Sequence, residues 1–91
     1  MANSFGQNPY HIDTTSATAL LSRRIAVSMI LAVNNTGVAV TMTLPSTTNT
    51  TCIVVPVPAN SVVQLNFQDY WMEGIGAPTI AAGTYFDIHY R

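Results

Sequence analysis

Charge is what this 91-residue chain has least of: only 8% of its residues are Asp, Glu, Lys or Arg, and there is no lysine at all. The three basic residues are Arg23, Arg24 and Arg91. That is too few to track a phosphate backbone, which excludes duplex nucleic acid as a partner and argues against an anionic membrane surface. Ionisable side chains of every kind are scarce, with carboxylates at Asp13, Asp69, Glu73 and Asp87 and imidazoles at His11 and His89. Catalysis needs such groups in convergent pairs, so the expectation is that the chain is not an enzyme and carries no cofactor. No serine lies in a nucleophile elbow, and no glycine-rich loop suits a phosphate. A single cysteine, Cys52, rules out a disulfide within the chain and reads as a small buried hydrophobe.

Other signals are missing too. The N-terminus lacks the basic start and apolar run of a secretory signal, which points to synthesis in a cytoplasm. The apolar run from Ala17 to Val33 is interrupted by Arg23 and Arg24 and cannot span a bilayer as a helix. Asn34-Asn35-Thr36 and Asn49-Thr50-Thr51 fit the glycosylation pattern but read as turn chemistry without a secretory signal. No stretch carries the start and stop signals of an ordinary helix.

What is present is alternation. From Arg24 to Leu44 the chain reads as two strands around Asn34-Asn35-Thr36-Gly37. Ile25, Val27, Met29, Leu31 and Val33 share one face of the first strand, while Val38, Val40, Met42 and Leu44 share one face of the second. A four-residue hairpin loop would set Val33 opposite Val38, Leu31 opposite Val40, Met29 opposite Met42 and Val27 opposite Leu44. The alternative is a turn that crosses between two sheets.

Further strands are predicted at Ser16–Leu21, Thr50–Val57, Ser61–Phe67 and Thr84–Tyr90, with at most a short one at Thr79-Ile80. Ile53, Val55 and Val57 share a face, and Pro56 confines that strand to an edge or an end. Gln68 to Pro78 reads as an irregular loop because of Gly74, Gly76 and Pro78. The predicted fold is all-β: a small antiparallel β-sandwich or jelly-roll-like barrel of six to seven strands, formed by residues 16–91. Residues Met1–Thr15 form an extended N-terminal arm whose Phe5, Tyr10 and Ile12 are spaced to dock on a neighbouring subunit.

Small β domains with so few charges are marginal and poorly soluble alone, so the chain is expected to stand in an assembly with copies of itself or a larger scaffold. The candidate partner-binding residues are Phe5 and Tyr10 in the arm, Arg23 and Arg24 at the start of the main strand, and Tyr70, Trp71 and Met72. Trp and Tyr dominate interface energetics, although a Trp is equally suited to closing the end of a small core. Trp71 with Tyr70 also suits sugar stacking. His11-x-Asp13 and Asp87-x-His89 would meet on one sheet face if the two chain ends paired antiparallel; imidazole and carboxylate are competent metal ligands, but hydrogen bonds or an ion pair serve equally well, and no metal is expected. Asp69 and Glu73 read as solvated loop charges.

Three segments, A-V-N-N-T-G-V-A-V-T-M-T-L, V-P-A-N-S-V-V-Q-L and A-A-G-T-Y-F-D-I-H-Y-R, resemble in style and order the capsid decoration, or cement, proteins of tailed bacteriophages. The resemblance covers Ile25 to Arg91 and carries no catalytic signature. It implies a compact β-sandwich on the outside of an icosahedral shell, as a homo-oligomer (dimer or trimer), with the major capsid protein as partner and the virion surface as location. The alternative function is a glycan- or receptor-binding module of a phage tail or a cell surface.

Overall fold

The computed structural model describes residues 9–49 and 51–90, and among them there is no helix. Six strands form two antiparallel sheets: β1 (Tyr10–Ile12), β2 (Ile25–Asn34), β3 (Val40–Leu44), β4 (Ile53–Val57), β5 (Ser61–Met72) and β6 (Thr84–Tyr90). The larger sheet has the order β1-β6-β2-β5, and β3 and β4 form the smaller one. The core lies between them, built on Ile12, Ile25, Val27, Ile30, Leu44, Val57, Met72, Ile75, Phe86 and Ile88, each almost wholly buried. The expected all-β sandwich is therefore the observed fold.

The expected hairpin is not. β2 pairs with β5 on one side and β6 on the other, so no edge remains for β3. The chain leaves the large sheet after Asn34 and crosses to the small one, where β3 pairs with β4. Alternation cannot distinguish these cases, because apolar faces turn inward whether two strands lie side by side or face each other. Val38, expected in the core, lies in the crossover and is 67% exposed.

The inward face of β2 is corrected as well. Ile25 and Val27 point inward, but so do Ile30 and Ala32, whereas Met29 and Leu31 are half-exposed on the outer face. The switch is a β-bulge between Val27 and Met29, where Ser28 is the extra residue against β6. The Ser28 hydroxyl donates to the His89 carbonyl at 3.1 Å. An added residue reverses every side chain beyond it. Met29 to Val33 is apolar throughout, so either facing satisfies the pattern.

β5 runs on to Met72, through what reads in sequence as a loop. At its bulge Asn66 to Tyr70 spans the β2 step from Met29 to Val27, and Asp69 takes a φ of 56°. Ser16–Leu21 is not a strand; it contributes one isolated bridge, Leu21 to Ile75. Part of the expected arm, Tyr10–Ile12, pairs with β6 of its own chain. Ile53, Val55 and Val57 share the buried face of β4 as expected.

The stretch after β5 is stitched to its neighbours through its backbone. Ile75 N–H donates to Leu21 at 2.9 Å, Gly76 N–H to Pro45 at 2.9 Å, and Thr47 N–H to Glu73 at 3.0 Å. These bonds close one end of the sandwich over Met72 and Ile75. Among the described residues no helix is long and apolar enough to cross a membrane.

Candidate functional site

Two side-chain groupings stand out on the surface. The first lies where β1 meets β6. Antiparallel pairing of β1 with β6 sets His11 opposite Asp87. His11 Nδ1 lies 2.7 Å from Asp87 Oδ1, and its Nε2 lies 3.3 Å from Asp13 Oδ2. The Tyr85 ring tilts against the imidazole with centroids 4.9 Å apart. The convergence expected from His11-x-Asp13 and Asp87-x-His89 is thus present for three of the four groups.

With a carboxylate at each ring nitrogen, the imidazolium form can donate to both. The hydrogen bond to Asp87 is the main cause that raises the His11 pKa above its ordinary value; partial burial opposes it, and the Asp87 charge and Asp13 add to it. For Asp13, desolvation works against ionisation, yet hydrogen bonds from the Thr14 hydroxyl and from His11 help to hold its carboxyl below the usual range.

The chemistry open to this cluster is narrow. His11 Nε2 faces the Asp13 carboxylate, where a catalytic dyad would present a hydroxyl or thiol. Both nitrogens are committed, and among the described residues no group of three or more His, Cys, Asp or Glu is placed to hold a metal ion. The cluster acts as a clasp between β1 and β6. Because the folded pKa of His11 is raised, its contribution to stability is complete below the unfolded imidazole value of about 6.5 and is lost as pH rises through the folded value. The Asp13 contribution runs the other way: present above its unfolded value, lost as pH falls through the depressed one. Thermal melts of the intact chain from about pH 5 to pH 9 are expected to fall on the alkaline side. His11→Ala is expected to flatten that fall; an unchanged pH profile in the variant would remove the clasp from the account.

The second grouping is aromatic. Trp71 lies opposite Ala26 on the outer face of β5 and is 54% exposed. The Arg24 guanidinium carbon sits 4.8 Å from the centre of its ring, and Arg24 Nε lies 3.3 Å from Glu73 Oε1. Both members of that ion pair are more than half exposed, so its contribution to stability is small. Tyr70, on the inward side, shares a 3.2 Å hydrogen bond with the Cys52 thiol, which together with burial raises its phenol pKa.

Of the expected partner-binding residues, Arg24 and Trp71 are brought together at the surface. Arg23 lies elsewhere, 5.9 Å from the centre of the Tyr90 ring. Tyr10 is 3% exposed and stacks on Tyr90 at 4.7 Å, and Met72 is 1% exposed; both serve the core of their own chain rather than an open surface. Phe5 lies outside the described residues. Cys52 is half-buried rather than fully enclosed.

Sequence reasoning missed the outer face of the large sheet. Along β2 it carries Met29, Leu31 and Val33, flanked by Gln64 and Asn66 on β5 and by Asp87 and His89 on β6. Only the bulge turns these residues outward, and a Ser in an apolar run is a weak signal for one. Comparison with known proteins finds no matching family model, no matching curated protein and no matching solved structure.

Proposed function

We propose that this chain is a structural virion protein, a capsid decoration protein that attaches to the major capsid protein across capsomer joints. The observation that carries the reading is Trp71: a large aromatic more than half exposed on a rigid strand, with Arg24 and Glu73 beside it. Trp and Arg are the residue types that most often anchor protein interfaces. Val38, Val54 and Val62, each more than half exposed, add apolar area around an almost uncharged body. Such a surface is suited to being covered by neighbours.

Co-sedimentation of the full chain with a panel of purified tailed-phage shells tests this. Trp71→Ala is expected to weaken attachment by about thirtyfold or more, the effect of losing a hot-spot residue, and to leave the melting curve close to wild type. Deleting Met1–Asn8, which removes Phe5 and spares Tyr10 in the core, is expected to weaken attachment further. Absence of binding to every shell would reject the reading. The glycan-binding alternative rests on Trp71; Tyr70 lies on the inward side of the same strand, hydrogen-bonded to Cys52. Glycan binding that is lost in Trp71→Ala, with no shell binding, would favour it.

A further inference from the structure

β5 is the longest strand in the protein, at 12 residues, and it lies at the edge of the large sheet. Among the described residues no strand pairs along its far side. A strand in that position presents a row of main-chain donors and acceptors that can template another strand. Natural proteins blunt such edges with lysine, proline, inward charges, bulges or short length. The other edges here are short: β1 has three residues, and β3 and β4 have five each, with Pro56 in β4. From Ser61 to Gln68, β5 has no charge and no proline, and its irregularity begins only beyond Asn66, with Asp69 at positive φ.

The packing behind this edge is incomplete in the same place. Ile30 and Ala32 of β2 are wholly buried, but Leu65 and Val63, their neighbours on β5, are only half-buried, as is Phe67. Nothing among the described strands continues the sheet past them. On the opposite face Val62, Gln64 and Asn66 are exposed, and Gln64 donates to Asn66 at 2.9 Å.

We propose that two copies of this chain pair through the outer edge of β5, antiparallel, about a two-fold axis at Leu65. The strand's own sequence argues for a second copy as the occupant. With Leu65 at the axis, Val63 falls opposite the partner's Phe67 on the inward face, an aliphatic–aromatic pair of the kind that stabilises antiparallel strands. Gln64 falls opposite the partner's Asn66 on the outward face, where each amide can both donate and accept. No like charges meet along the uncharged segment. The axis stands perpendicular to the sheet, so the inward faces of both copies stay on the same side and join into one continuous sheet. This pairing gives a surface to the self-association expected from the composition. It does not depend on attachment to a shell.

The test is the mass of the full chain in solution, followed across concentration by light scattering or sedimentation equilibrium. The expected result is a species of twice the 9.8 kDa chain mass. The double variant Gln64→Lys with Asn66→Lys sets lysine against lysine twice across the seam and is expected to raise the dissociation constant by about tenfold or more. Gln64→Lys with Asn66→Glu sets lysine against glutamate instead, and is expected to keep or strengthen the dimer. Both positions are exposed, so circular dichroism should match wild type in each variant, and melting should match at dilutions where the wild type is itself monomeric. A wild-type monomer at high concentration overturns the proposal. So does an oligomer that tolerates the double lysine. A monomeric double-lysine variant that still sediments with shells would uphold the seam and separate it from shell binding; a wild-type dimer that binds no shell would leave the seam standing and reject the shell reading alone.

Discussion

Asn34→Ala is expected to destabilise the fold by about 2–4 kcal/mol, a large share of what a domain of this size has to lose. Asn34 is completely buried at the end of β2, where the chain leaves one sheet for the other. Its side-chain amide donates to the carbonyls of Val38 at 2.8 Å, Val57 at 3.2 Å and Pro58 at 3.2 Å. Its carbonyl oxygen accepts from the Thr36 N–H at 2.9 Å and from the Thr36 hydroxyl at 2.6 Å. One side chain thus joins the β2–β3 crossover to the corner between β4 and β5. Alanine removes all of these bonds and strands the Val57 carbonyl in a buried setting, where an unmade bond costs more than a made one contributes. Asn34→Asp tests the donor half separately: a carboxylate cannot donate to three carbonyls, so it is expected to be at least as damaging at neutral pH. Urea unfolding measures both, and a loss below about 0.5 kcal/mol in the alanine variant, within the ordinary range for a surface change, would sink this assignment.

Gly74→Ala is expected to cost about 3 kcal/mol or more, because two independent obstacles meet there. The residue has a φ of +77°, where a Cβ is strained in any surroundings. A Cβ would also fall 2.3 Å from the Leu21 carbonyl oxygen, with the Thr47 methyl 2.9 Å away. That carbonyl cannot simply retreat, since it accepts the Ile75 N–H at 2.9 Å. Relief would break the stitching that closes the sandwich over Met72 and Ile75. Gly37→Ala supplies the comparison: nothing lies within 4 Å of its Cβ position, so the change is expected to stay within about 0.5 kcal/mol. Equal unfolding midpoints for the two variants would show that the close approach at Gly74 carries no weight.

The fold class was legible because β6 and β4 are written unambiguously. Phe86 and Ile88 alternate with polar neighbours, as do Ile53, Val55 and Val57 with exposed ones, and the observed faces agree. The meeting of His11 with Asp87 was legible for a similar reason, since two short x-spaced patterns at the chain ends fit one antiparallel register. Other features were hidden for identifiable physical reasons. The five-residue apolar run at Met29–Val33 makes both facings of β2 equivalent, so the bulge at Ser28 leaves no trace in the pattern. Asn34 reads locally as a turn residue, and its contacts with Val57 and Pro58 lie more than twenty positions away. In the segment after Phe67, Gly74 and Gly76 weigh against a strand, but both lie beyond Met72, where the strand has already ended. Trp71 was singled out in either case; its exposure depends on which side of an unexpected strand it occupies.

β6 has a position in the sheet that bears on how the molecule is made. It is inserted between β1 and β2, although β2 ends at Asn34 and β6 begins only at Thr84. During synthesis, then, Tyr10–Ile12 and Ile25–Asn34 emerge with no occupant for the gap between them. Until Thr84–Tyr90 has left the ribosome, Ile12, Ile30 and Ala32 lack the strand that covers them. Closing so distant a pair of chain ends is slow compared with local pairing, and the nascent chain spends that interval with aliphatic surface in reach of other chains. A holdase that shields β1 and β2 until β6 has emerged is expected to raise the yield of native protein.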